Sequence, residues 1–141
     1  MDPQEAIKAE VRAAFDQYWT ALTAAYAKAD EQGSNLNKIS SGSAYAQTLG
    51  DLVTMRKSNQ VVTGKAAHSG TTIEFKQGTR LPTATVTACV DISQWKPVNK
   101  DTGKEVQLPP ERRLRYITKL TAEKWSSGWM FIEEDVEGRA C

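Results

Sequence analysis

The sequence predicts an α+β domain in which the helices come first and an antiparallel sheet follows. Apolar residues repeat every three or four positions as far as about residue 58. From about residue 60 to residue 137 they alternate instead, among many β-branched residues. Helices and strands segregated in this way imply helices packed on one face of a sheet rather than a parallel βαβ array. At 141 residues one core suffices, because a chain of this length buries roughly two-thirds of the surface it exposes when unfolded. No repeat or linker divides the chain, so residues 1–141 are expected to form one domain.

A long amphipathic first helix is expected from Asp2 to about Glu31, carried by Ile7, Val11, Ala14, Phe15, Tyr18, Leu22, Ala25, Tyr26 and Ala29. Asp2 suits its N-cap, Pro3 its first position and Glu5 the reciprocal place in a capping box. Gly33 is expected to close it in the left-handed conformation. Ser34-Asn35 then caps a short segment holding Leu36 and Ile39, and Tyr45, Thr48, Leu49, Leu52, Val53 and Arg56 mark a third helix.

The first strand, Val61-Val62-Thr63, is expected to bend at Gly64, and Thr71 to Phe75 continues it or pairs with it. From Thr83 to Asp91 the alternation is regular: Ala84, Val86, Ala88 and Val90 share one face, and Thr83, Thr85, Thr87 and Cys89 the other. Arg112 to Thr121 alternates as well, and Trp129 to Val136 follows a turn at Ser126-Ser127-Gly128. Lys96 to Pro110 holds three prolines and is expected to be a long loop or wide hairpin.

Composition narrows the function classes. The chain is 40% apolar and 25% charged with a formal charge of +1, and its basic residues are scattered among nearly as many acids. Nucleic-acid binding would show a basic patch with interleaved aromatics, which is absent. No apolar run reaches the 18 or so residues that span a bilayer, and no basic-then-apolar leader precedes the first helix. Compartment then rests on Cys89 and Cys141, which on residue type alone are either two unrelated thiols or one disulfide. A structural zinc site wants four ligands and only His68 could join them, so no metal is expected. His68, the only histidine, has no adjacent Cys, Ser or Asp motif and fits a surface position better than a general base.

Several motifs carry a family likeness. They are Cys89-Val90-Asp91-Ile92-Ser93-Gln94-Trp95, the turn Asp101-Thr102-Gly103-Lys104, the basic strand Arg112-Arg113-Leu114-Arg115-Tyr116, Gly128-Trp129, and Cys141 at the end. With the element order, they resemble the NTF2-like superfamily, also called SnoaL-like or cystatin-like, and within it a group of actinobacterial secreted proteins and lipoproteins. The resemblance implies a cone: the long helix and two shorter ones packed in the concave face of a curled, mainly four-stranded antiparallel sheet. It also implies that Cys89 and Cys141 form a disulfide and that the domain works outside the cell or on its surface; a cytoplasmic home is the alternative.

In enzymatic members of that superfamily an Asp or His inside the cone abstracts a proton. Here the weak candidates for such a catalytic acid are Asp16, beside the first-helix stripe, and Glu133 and Asp135, which alternate with Trp129 and Phe131. The simpler expectation is that Glu133, Glu134, Asp135 and Glu137 answer Arg112, Arg113, Arg115 and Lys119 as cross-strand pairs. Tyr18, Trp19, Tyr45, Phe75, Tyr116, Trp129 and Phe131 are candidates to line a pocket, though core is the plainer role for most of them; Trp95 and Trp125 suit a partner surface if exposed. The leading expectation is a non-catalytic extracytoplasmic binding or assembly domain, without cofactor, taking an unknown protein or a small apolar ligand through the cone or the sheet face. The alternative is a small cofactor-free cyclase, isomerase or hydrolase. A homodimer through the sheet face is a further expectation, set against the like charges of Arg113, Arg115 and Lys119.

Overall fold

A computed structural model describes residues 2–141. Three helices, α1 (Pro3–Lys28), α2 (Leu36–Ile39) and α3 (Gly42–Lys57), precede six strands. These are β1 (Gln60–Gly64), β2 (Ala67–Phe75), β3 (Thr83–Asp91), β4 (Trp95–Asn99), β5 (Arg115–Trp125) and β6 (Gly128–Val136). The strands form a four-stranded antiparallel sheet in the order β2-β3-β5-β6 and a two-stranded one, β1-β4, and neither closes into a barrel.

Helix α1 begins as its sequence requires. The Asp2 carboxylate accepts from the Gln4 N–H at 2.9 Å, Pro3 occupies the first position and Glu5 lies in the first turn. Its C-terminus departs from expectation. Ala29, not Gly33, takes the left-handed cap at φ 55°, while Gly33 (φ 80°) turns the chain toward α2. Ala29 is nearly fully buried and so cannot swing out, and the Arg56 guanidinium of α3 donates to its carbonyl at 2.5 Å.

The alternation on β3 sets the core. Ala84, Val86, Ala88 and Val90 face the helices, opposite Ala122, Leu120, Thr118 and Tyr116 of β5. Three of these eight are alanines, and the space they leave is filled by Phe15, Tyr18, Trp19 and Leu22 of α1. Phe131 of β6 is completely buried among them, its ring centroid 4.9 Å from that of Tyr18 and 6.1 Å from that of Phe15. At the start of α1, Lys124 of β5 pairs with Glu10 at 3.0 Å while lying over Trp129, which ties the helix to the sheet.

Besides a register shift in β2 between Ser69 and Thr72, two features reshape what a regular sheet would give. The stretch expected as a loop from Lys96 onward instead starts with β4, which pairs with β1 from Gln60↔Asn99 to Gly64↔Trp95; Pro97, opposite Val62, is tolerated because β4 is an edge strand. On β6, Ile132 is an extra residue: Thr121 pairs with Glu133 and Ala122 with Phe131, so β6 is bulged there. The start of α3 covers the bulge. Ser43 donates to the Ile132 carbonyl, and Ser40 and Ser41 donate to that of Phe131.

Beyond β6 the chain runs alongside the start of β5, with Glu137 N–H donating to Ile117 O and Ile117 N–H to Arg139 O. It then crosses to β3, where Cys141 is bonded to Cys89 with a Cα–Cα distance of 5.9 Å. Among the described residues no helix is long and apolar enough to cross a membrane.

Candidate functional site

An open groove of about 740 Å³ runs between α1 and the kink that joins β1 to β2. One wall is a single face of α1, on which Asp16, Thr20, Thr23 and Ala27 follow at helical spacing with Trp19 and Ala24 between them. The other is Lys65 to His68, turned away from the β1 direction by Gly64, whose φ of 80° and close approach to the Gln94 carbonyl exclude any Cβ. At one end His68 Nε2 lies 3.3 Å from Asp16 Oδ1, and the imidazole packs against Phe15 with centroids 4.7 Å apart. The imidazole is three-quarters covered while the carboxylate is mostly exposed.

Beneath the groove the indole of Trp19 packs edge-on against Trp95, and Trp95 against Tyr26; the buried Nε1 atoms of Trp19 and Trp95 have no hydrogen-bond partner. The hydroxyls of Thr20 and Thr23 donate to the main-chain carbonyls of Asp16 and Trp19. The groove offers apolar surface at Trp19, Ala24, Ala27 and Ala66 and a polar end at the Asp16–His68 pair.

A second polar cluster lies between α1, α3, β5 and β6. Glu134, opposite Leu120, faces the helices half-buried and accepts from the Thr118 hydroxyl at 2.9 Å. Burial lifts its pKa above the usual carboxylate range, and the nearby Asp51 carboxylate adds to the rise. Asp51 in turn accepts from the Tyr26 hydroxyl at 2.9 Å. Burial also raises the phenols around this acid: Tyr116 is pushed up to about 12, and Tyr18 and Tyr26 higher still, each also repelled as a phenolate by Glu134. No cation neutralises Glu134 among the described residues.

The other residues singled out from the sequence are distributed around the molecule. Glu133 and Asp135 are exposed on the outer face of the sheet, opposite Thr121 and Lys119, because the Ile132 bulge reverses the alternation begun by Trp129 and Phe131. Tyr18, Trp19 and Phe131 are core, and Tyr116 stands beside Glu134. Phe75 and Trp129 line a small hollow of about 240 Å³ at the start of α1. Tyr45, on α3, donates to Glu31. The seven aromatics thus do not converge on one pocket. Sequence reasoning missed Glu134, Asp51 and the pairing of His68 with Asp16; the run Glu133-Glu134-Asp135 was the available signal for the first. Among the described residues no three of His, Cys, Asp and Glu converge as metal ligands.

No family model and no curated protein matches this sequence. Among solved structures the chain is similar to the intermembrane space region of the chloroplast protein ARC6, with a TM-score of 0.57 and 14% identity over 96% of each chain. At that identity the likeness supports the α+β fold alone.

Proposed function

We propose that this chain is a non-catalytic, extracytoplasmic binding domain of NTF2-like type, related to the secreted actinobacterial proteins it resembles, and that the groove along α1 holds a small apolar ligand. The observation that carries the reading is the groove itself: Trp19, Ala24, Ala27 and Ala66 give it an apolar surface, and the Asp16–His68 pair supplies a polar end. Its volume falls within the roughly 300–1,000 Å³ of small-molecule sites. The outer face of the sheet, by contrast, mixes Arg115 and Lys119 with Glu133 and Asp135 and favours no apolar ligand. The Cys89–Cys141 bond supports an oxidising compartment.

Ala27 is exposed, so Ala27→Glu should place a charge in the groove without disturbing the core. Binding of an apolar fluorescent dye, read through dye emission and Trp19 quenching, should weaken by about tenfold or more, equivalent to about 1.4 kcal/mol. Equal binding by both proteins would remove the groove from the proposal.

A second reading, a cofactor-free enzyme, draws on Glu134, a half-buried carboxylate with a raised pKa and three tyrosines around it. In that case Glu134→Gln should abolish turnover while leaving dye binding intact.

A further inference from the structure

The two sulfurs of the disulfide stand in unlike surroundings. Cys89 lies on the outer face of β3 and is only 9% exposed, whereas Cys141 is open to solvent. Ile117 is the register partner of Cys89 and Asp91 that of Arg115, and from this neighbouring position Arg115 Nη2 reaches to 3.7 Å from Cys89 Sγ. The other cations nearby are engaged elsewhere: Lys119 and Arg139 hold the Glu137 carboxylate at 3.2 and 2.6 Å, and Arg113 donates to the Gly138 carbonyl. The Cys89 sulfur is the one hydrogen-bond acceptor of the Arg115 side chain among the described residues.

Thiol–disulfide exchange needs an accessible sulfur to attack and a leaving thiol of low pKa, and a guanidinium beside a cysteine lowers that pKa by stabilising the thiolate. This chain separates the two requirements between its two cysteines. We propose that Cys89–Cys141 is an exchange-active disulfide which takes an incoming thiolate at Cys141 and releases Cys89 as a thiolate beside Arg115.

The incoming thiol loses its proton to solvent, and its sulfur forms a bond to Cys141 Sγ. The Cys89–Cys141 bond breaks, and its electron pair goes to Cys89 Sγ. One disulfide and one thiolate are consumed and one of each is formed, so no oxidant or reductant is required. The reverse step is built in: the Ile117–Arg139 and Arg113–Gly138 hydrogen bonds hold the segment before Cys141 against β5. Cys89 therefore remains placed to attack the mixed disulfide and expel the captured thiol. This proposal is independent of the groove reading.

The test uses the oxidised protein, reduced glutathione, acid quenching, and peptide mapping by mass spectrometry after alkylation of the freed thiol. Glutathione is expected on Cys141 and the alkyl group on Cys89. Arg115→Gln should slow opening about three- to tenfold, as a leaving-group pKa rise of about one to two units gives if the rate responds with a slope of about 0.5. Arg115→Lys should restore part of the rate. In concentrated guanidinium chloride, where the β3–β5 register is lost, wild type and Arg115→Gln should open equally fast. Glutathione found on Cys89, equal rates for the folded proteins, or a rate difference that survives unfolding would each overturn the proposal.

Discussion

Replacing Cys141 by Ser isolates what the disulfide contributes to stability. Cys141 is exposed, so the substitution leaves no cavity, and the hydrogen bonds that hold Glu137 and Arg139 to Ile117 involve main-chain atoms that remain in place. What is lost is the constraint on the unfolded chain. For a sequence separation of 52 residues, the chain-entropy relation gives about 14 cal/mol/K, or about 4 kcal/mol at room temperature. That is a large fraction of the roughly 5–15 kcal/mol by which domains are stable. Guanidinium chloride unfolding of the oxidised wild type and Cys141→Ser, followed by tryptophan fluorescence, measures the difference directly. The slope of the transition should steepen in the variant, because an uncrosslinked unfolded chain exposes more surface. A loss below about 1 kcal/mol with an unchanged slope would refute the reasoning, since it would mean that the bridged loop is already restricted when unfolded.

The acid facing the helices makes a pH prediction. The folded-state pKa of Glu134 lies above its unfolded value, so the folded state binds more protons between the two. Its stabilising contribution is complete below the unfolded carboxylate pKa and is lost as pH rises through the folded one. Thermal melts from mildly acidic to neutral pH should show wild type losing stability relative to Glu134→Gln, and parallel curves would contradict the placement of Glu134. At the kink, Gly64→Ala should cost about 2 kcal/mol, because the new Cβ would lie 2.0 Å from the Gln94 carbonyl at a φ of 80°. A variant as stable as wild type in denaturant titration would show that the β1–β2 turn is not held in this conformation.

Much of the fold was legible because its signals are local. Spacing of three and four in α1 and the strict alternation of β3 are properties of single segments, and the structure places Val11, Phe15, Tyr18, Leu22, Ala84, Val86, Ala88 and Val90 in the core they mark out. Strand β4 was hidden because Pro97 and the polar residues after it carry loop chemistry, and only its pairing with β1 makes the segment extended. The site was less legible for the same physical reason. His68 meets Asp16 only because β2 is folded against α1, and nothing near either residue announces the other. The inward acid was misjudged by one position, because a bulge defined by the partner strand leaves no mark in an otherwise alternating sequence.

That bulge has a consequence for how the chain could change. Pairing Ile132 with Thr121 in a regular ladder would turn Glu133 inward with Asp135, in place of Glu134. Three acids in succession mean that either register presents a carboxylate to the helices. A one-residue slip of the β6 register would therefore move the interior charge along the strand without removing it, altering its distance from Thr118 and Asp51. The acidic run thus gives the interior charge a tolerance to slippage that no single glutamate could provide.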